Sequence, residues 1–373
     1  MLNNEFPPLG GGTGTVNLAL LRQFANEPEL EIDLVTSALG REYEEEQFAE
    51  RIRIFKVPVN NNNIHHSSNR ELLTYTIHGY RCARRLHKQT PYDLCFAWST
   101  VPAGGISYLI NRFSGLRYIV RVSGPDIPGF ERRYKNIYPI LTPIVKAIWN
   151  KARIVIVKCA QELGEIQAID SGINYRIIPN GVDQEKFHPK ANKSENGPLQ
   201  LLCVGRLIER KGQNHLIQAV KILNDEGIDV ELDLVGEGDS RKDYENLVKK
   251  LWLEDKVHLY GYVSRDQIAE YYRGADVFVL PSYNEGMSVA TLEALASGMP
   301  IVSTDRAGGD NLVVEGINGF TYKWADIDSL VVNLKTIYYD RDLLKSMGDE
   351  SRKRAENYSW SYIKETYLRL FKE

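Results

Sequence analysis

The sequence predicts an α/β protein built as two doubly wound domains, and three observations carry that expectation. At 373 residues the chain exceeds what one hydrophobic core usually supports. Short runs of β-branched and aromatic residues alternate with stretches of helical period along nearly all of it, the pattern of parallel strands joined by crossover helices. Residues 277–304, VFVLPSYNEGMSVATLEALASGMPIVST, read as one complete β-α-β unit. Composition is that of a globular protein, with 43% apolar and 25% charged residues.

In the first half, residues 1–4 read as the end of a strand. The glycine-rich run 6–15, FPPLGGGTGT, then leads into a helix carrying Val16, Leu20 and Phe24. Glycines there let backbone approach a ligand at a helix N-terminus. The run is not a dinucleotide fingerprint, because Thr15 stands where a third glycine is needed. Strands follow at 31–35, 52–57, 93–97, 118–122 and 153–157, with helices at 71–88 and 102–113. The loop after 118–122 offers Asp126 and Arg121 as polar groups for a ligand, against the reading of Asp126 as a turn residue. A His pair, His65-His66, has no Cys, Asp or Glu beside it and does not make a metal site.

Residues 176–189, RIIPNGVDQEKFHP, hold a strand stopped by Pro179 and a turn at Asn180-Gly181. We place the domain boundary after them, giving domains 1–188 and 189–355, and read 356–373 as a terminal helix. In the second domain a strand ending at Val204 runs into Gly205-Arg206-Leu207-Ile208-Glu209-Arg210-Lys211-Gly212. Arg206 and Lys211 suit a diphosphate, one as a planar donor fork and the other as a point charge. Strands at 232–235 and 257–260 end in Gly236-Glu237-Gly238 and Gly261-Tyr262-Val263.

In the β-α-β unit, Pro281 stops the first strand and Glu285 falls in the loop at its C-terminal end, where open α/β sheets bind ligands. Gly286 opens the helix, Ser288 can cap it, and Glu293 lies about two turns along. The backbone of Gly286, Met287 and Ser288 presents a helix start suited to phosphate. Two carboxylates and a helix start facing one crevice read as a nucleotide site.

These residues resemble the retaining glycosyltransferases of family 4, which have the GT-B fold. Pro281-Ser282, Glu285-Gly286, Glu293-Ala294 and Gly298-Met299-Pro300 match that family's pattern, as do Gly205-Arg206-Leu207 and Lys211-Gly212. The resemblance implies two Rossmann-like domains facing a central cleft, with the terminal helix crossing back to the first. It implies a nucleotide diphospho-sugar as donor substrate, with no cofactor and no metal. Glu285 would touch the donor sugar and Glu293 the ribose; Arg206 and Lys211 would hold the diphosphate, Gly11 and Gly12 would face it, and Tyr262 and Val263 would lie by the base. Departures are Met287-Ser288 after Glu-Gly, Ser123 where many members have histidine, and Asn311 where Glu is frequent. The alternatives are a nucleotide-sugar epimerase of the same fold and an inactive nucleotide-sugar-binding protein.

The remaining features concern location and partners. No apolar run approaches the ~20 residues of a membrane span and residues 1–20 lack a signal-peptide order, so a cytoplasmic protein is expected. Cys82, Cys95, Cys159 and Cys203 form no C-x-x-C pair and read as reduced core thiols. Residues 1–190 carry 23 Lys/Arg against 19 Asp/Glu, and the remainder 23 against 30. Residues 51–88 hold eight cations and one acid, Glu71. Two readings of this charge stand, a solvated helix face or a surface that meets phosphates or an anionic membrane at the inner face. Likewise 130–153, basic and aromatic, either lies on a membrane or packs against the sheet, with Pro139 and Pro143 interrupting a simple helix. The acceptor is then a glycan, a lipid-linked intermediate or a small molecule; no nucleic acid is expected.

Overall fold

The computed structural model describes residues 1–60, 67–127, 136–190, 197–307 and 312–373, and divides the chain into two units, 1–180 with 360–373, and 181–359. The first unit runs α1 (Gly12–Phe24), β1 (Ile32–Ser37), β2 (Glu44–Ala49), β3 (Ile52–Val57), α2 (Asn69–Gln89), β4 (Cys95–Ala97), α3 (Gly105–Ser114), β5 (Tyr118–Arg121), α4 (Tyr138–Lys151), β6 (Ile154–Val157), α5 (Ala160–Ile169) and β7 (Tyr175–Ile177). Strands β1 and β3 pair in parallel, as do β4 through β7. Leu2 joins the two groups by bridging Val35 on one side and Ala97 on the other. β5 and β6, YIVR and IVIV, are buried at every residue, as strands covered on both faces must be.

Antiparallel β2 was missed in the sequence. Its EEEQFA run has no apolar alternation, because it is an edge strand held by β3 and by Lys56, which pairs with Glu46 at 2.7 Å and Glu44 at 3.5 Å. Pro139 and Pro143 do not break α4 either. Pro139 sits in the first turn, where no N–H is needed, and Pro143 lies on the exposed side, where water can serve the orphaned carbonyl.

The second unit runs β8 (Leu199–Val204), α6 (Gln213–Asp225), β9 (Val230–Val235), α7 (Arg241–Lys250), β10 (Val257–Gly261), α8 (Ile268–Gly274), β11 (Val277–Leu280), α9 (Val289–Ala296), β12 (Ile301–Thr304), β13 (Gly319–Tyr322), α10 (Ile327–Tyr339) and α11 (Arg341–Ala355). Its six parallel strands are ordered β10-β9-β8-β11-β12-β13, so the chain reverses its direction of winding between β8 and β11. In such sheets ligands bind outside the strand ends at that reversal.

The boundary falls at 180/181 rather than at 188/189. Val182 and Phe187 are buried in the second unit's core, and Arg352 donates to the Phe187 carbonyl at 2.9 Å, so residues 181–188 fold with the second unit. The terminal helix α12 (Trp360–Lys372) belongs to the first unit. Its Tyr367 and Phe371 pack edge-on or tilted against Phe24 and Phe96, and Lys364 pairs with Glu27 at 2.6 Å. All four cysteines are buried thiols outside any disulfide, and burial pushes the Cys203 thiol up to about 12.

Candidate functional site

Two loops meet at the reversal point of the second sheet. The loop after β8 is kept short by glycines with no alternative: a Cβ on Gly212, which has φ +66°, would collide with the Pro281 carbonyl oxygen, and one on Gly236 with that of Gly205. The close approach at Gly212 brings Lys211 to the end of β11. There its Nζ lies 2.6 Å from Glu285, with both side chains nearly buried. Arg210 joins them, with Nη1 2.5 Å from the Asn284 carbonyl and 3.5 Å from Glu285. Burial opposes ionisation of Glu285, but Lys211 and Arg210 outweigh it and hold the carboxyl below its ordinary value. Arg206, by contrast, is exposed and makes no ion pair among the described residues. The group thus has two cations around one carboxylate and a third cation close in sequence, a surplus of positive charge at a strand end.

Glu293 belongs to a second group. It is buried inside α9, where Oε2 accepts from the Tyr272 hydroxyl at 2.9 Å and Arg265 Nη1 lies 2.5 Å from Oε1. That second approach is an ion pair outside hydrogen-bonding angles, so Oε1 has no aligned donor. Tyr262 is 70% exposed and close enough to interact electrostatically with Arg265, while Val263 packs on the core. Glu285 and Glu293 therefore share no partner among the described residues.

Other expected residues fall differently. Gly286 does not open the helix: α9 starts at Val289, with Ser288 as its cap accepting from Thr291 N–H at 3.2 Å and the Met287 side chain buried in the core. Gly11 caps α1 and Gly12 is its first residue, both exposed beside Glu5. Asp126 is locked in place. Its carboxylate accepts from Ser123 N–H and Oγ and from the N–H groups of Thr100 and Val101 at 2.7 to 3.2 Å. Burial nevertheless pushes its pKa up to about 6. Arg121 is buried against the Trp98 ring and bonded to Tyr367 and Asn180, so both residues stitch the first unit together. His65-His66 and 308–311 lie outside the described residues. A cavity of about 970 Å³ opens beside Met1, Asp33 and Cys95, at the strand starts of the first unit.

Sequence reasoning missed Arg210, Arg265 and Tyr272. Arg210 stood inside the assigned loop, where an adjacent cation was the available signal. Arg265 and Tyr272 reach Glu293 from the segment before β11, and no local pattern marks that contact.

A family model described as glycosyl transferases group 1 matches residues 183–354. The amylovoran biosynthesis glycosyltransferase AmsK of Erwinia amylovora is 34% identical over 160 residues, which cover 41% of this chain but only 39% of that protein. An uncharacterized glycosyltransferase of Methanocaldococcus jannaschii is 24% identical over 80% of both chains. Among solved structures, sucrose-phosphate synthase from Thermosynechococcus elongatus superposes with a TM-score of 0.82 at 21% identity, covering 96% of this chain and 91% of its own. Anabaena HepE in complex with UDP and glucose gives 0.76 at 18% identity, covering 100% and 98%. These likenesses establish the fold. The chain has the α/β architecture of GT-B glycosyltransferases, and its residues 183–354 match the glycosyl transferases group 1 model.

Proposed function

We propose that the protein is a retaining, family 4 type glycosyltransferase that moves a sugar from a nucleotide diphospho-sugar to an acceptor hydroxyl. The observation that carries this reading is the Lys211–Glu285 pair across the reversal point between β8 and β11, with Arg210 and Arg206 beside it. In the proposed step the anomeric carbon–oxygen bond to the diphosphate breaks as a bond to the acceptor oxygen forms on the same face. The acceptor proton passes to a diphosphate oxygen. Arg206 and Lys211 stabilise the charge developing on the leaving group, with no metal required. Glu285 orients the sugar. Glu293 takes the ribose hydroxyls in place of Arg265, since two carboxylates gripping different parts of one donor do not make a glycosidase pair.

The HepE complex contains UDP, which supports a nucleotide donor here. CapM of Staphylococcus aureus, 30% identical over 207 residues, is named for capsular polysaccharide biosynthesis, which supports a role in cell-envelope polysaccharide or glycolipid synthesis. Incubating the purified protein with UDP-, GDP-, ADP- and dTDP-sugars, with and without a membrane extract as acceptor, tests the reading. Nucleoside diphosphate release that depends on acceptor and yields an α-linked product from an α-linked donor supports it. Interconversion of the donor without acceptor would point to an epimerase, and no turnover to a binding protein.

A further inference from the structure

We infer that the outer edge of the second unit's sheet, strand β10 with the turn before it, holds a chain of neutral sugars. Parallel sheets are normally covered on both faces, and at this edge one face is open. On the covered side Leu199, Leu201, Val230, Leu232 and Val257 are buried in the core. The alternate residues Glu231, Asp233, His258 and Tyr260 take the other face of β9 and β10, and none of the four is buried. His258 stands opposite Asp233 in the register, and Gln200 opposite Glu231. Asp233 bonds to the Tyr260 hydroxyl, and Glu231 accepts from Gln200 at 2.8 Å. The Tyr260 ring meets Tyr271 of α8 edge-on, with centroids 4.9 Å apart, and remains 47% exposed.

The turn leading into β10 carries Trp252, which is 86% exposed. Its backbone is left-handed, with φ +57°, where α7 closes through bonds from Trp252 N–H to Lys249 and from Leu253 N–H to Val248. Glycine is the usual residue at such a helix end, because it meets no steric penalty there. A bulky ring held in that conformation and in water gives the fold nothing, which points to a use outside the fold. Trp252, Tyr260 and Tyr262, the last 70% exposed, follow one another along this edge. The strand between them is roughly 17 Å long, room for several sugar residues in a row. It ends on the same side of the sheet as the Lys211–Glu285 pair.

Sugar rings present C–H faces that stack on aromatic rings, and hydroxyls that donate to carboxylates and imidazole. The edge offers both, and Glu231 and Asp233 would repel an acidic polysaccharide. Addition of a strand from another protein is opposed by the register shift between Leu259 and Gly261, a bulge that turns the edge away. A protein face laid over the patch would have to strip water from Glu231, Asp233 and His258 together, whereas a glycan meets each of them with a hydroxyl. The choice of a sugar ligand rests on the proposed glycosyltransferase activity, but binding at this edge requires no donor.

The test is electrophoresis of the full chain through native gels cast with dextran, amylose or mannan and through gels without polysaccharide. Acrylamide quenching of tryptophan fluorescence accompanies it, since Trp252 is exposed while Trp98 and Trp149 are buried. Retardation by at least one polysaccharide is expected, with Trp252 shielded from acrylamide by the same polysaccharide. Loss of one stacking ring is expected to weaken binding about tenfold in Trp252→Gly and in Tyr260→Ala. Trp252→Gly is expected to melt no lower than the parent, because glycine suits the left-handed turn. Arg206→Ala and Glu293→Ala, which disable the proposed donor site, are expected to be retarded as strongly as the parent, so that failure of that site and failure of this edge are told apart. Retardation by none of the polysaccharides, or equal retardation of the parent and both edge variants, would overturn the inference.

Discussion

Replacing Glu285 by Gln puts the proposed donor site under opposing demands, because the same carboxylate neutralises Lys211 and repels phosphate. Glu285 lies 2.6 Å from Lys211 and 3.5 Å from Arg210 in a nearly buried setting. Removing one partner of such a group costs roughly 3 to 5 kcal/mol; glutamine keeps an acceptor, so we take about 3 kcal/mol. For a unit of this size that lowers the melting temperature by about 6 to 12 °C. Binding moves the other way. A phosphate drawn to Lys211 lies within about 5 Å of the carboxylate, where repulsion at an effective dielectric of about 20 is on the order of 3 kcal/mol. Screening reduces this, so at least about tenfold tighter binding of nucleoside diphosphate is expected, with slower sugar transfer.

The pH dependence has a definite sign. The folded pKa of Glu285 is depressed, so its stabilisation is present above the ordinary value near 4.5 and is lost as pH falls through the lower folded value. The variant should therefore show a shallower acid limb. The assays are thermal unfolding between acid and neutral pH and calorimetric titration with UDP and GDP. A Glu285→Gln protein as stable as the parent, binding diphosphate no more tightly, would refute the reasoning.

Other expectations rest on the same contacts. Asp126 should titrate near 6 by NMR; because its folded pKa is raised above 3.8, its ionisation costs the folded state on the order of 3 kcal/mol, so this group's contribution to stability declines as pH rises from about 4 to 6, a slope absent in Asp126→Asn. Gly212→Ala should cost more than the roughly 1 to 2 kcal/mol of a left-handed residue, since the Pro281 carbonyl blocks the new methyl; a urea midpoint equal to the parent's would contradict this. Arg265→Ala should lower stability by about 1 to 3 kcal/mol, less than a fully buried pair because Arg265 is half exposed. That variant should keep nucleotide binding while Glu293→Ala loses it, and equal losses in titration calorimetry would refute the assignment of Glu293 to the ribose.

Much of this architecture was legible because parallel strands buried on both faces leave continuous apolar runs, as in IVIV at β6 and VFVL at β11. What such runs cannot show is an edge: β2, three glutamates in a row, is held by its partner strand and Lys56. The domain boundary was misplaced for a related reason, since Phe187 is an ordinary residue in a polar segment until the second core closes over it. Glu285, Lys211 and Glu293 stand out as candidates in the sequence by their position at strand ends and along a helix. Their partners do not. Arg265 and Tyr272 meet Glu293 only through the fold, and Asp126 looked available because nothing in its turn sequence announces the amides of Thr100 and Val101.

The most direct test of the proposed donor site is the melting temperature of the protein against a panel of UDP-, GDP-, ADP- and dTDP-sugars, repeated with Arg206→Ala and Glu293→Ala. A ligand at about 100 times its dissociation constant adds about 2.7 kcal/mol, a rise of about 5 to 10 °C for a unit of this size. The account predicts that rise with one nucleotide class and its loss in both variants. No rise with any nucleotide, or one that both variants retain, would contradict it.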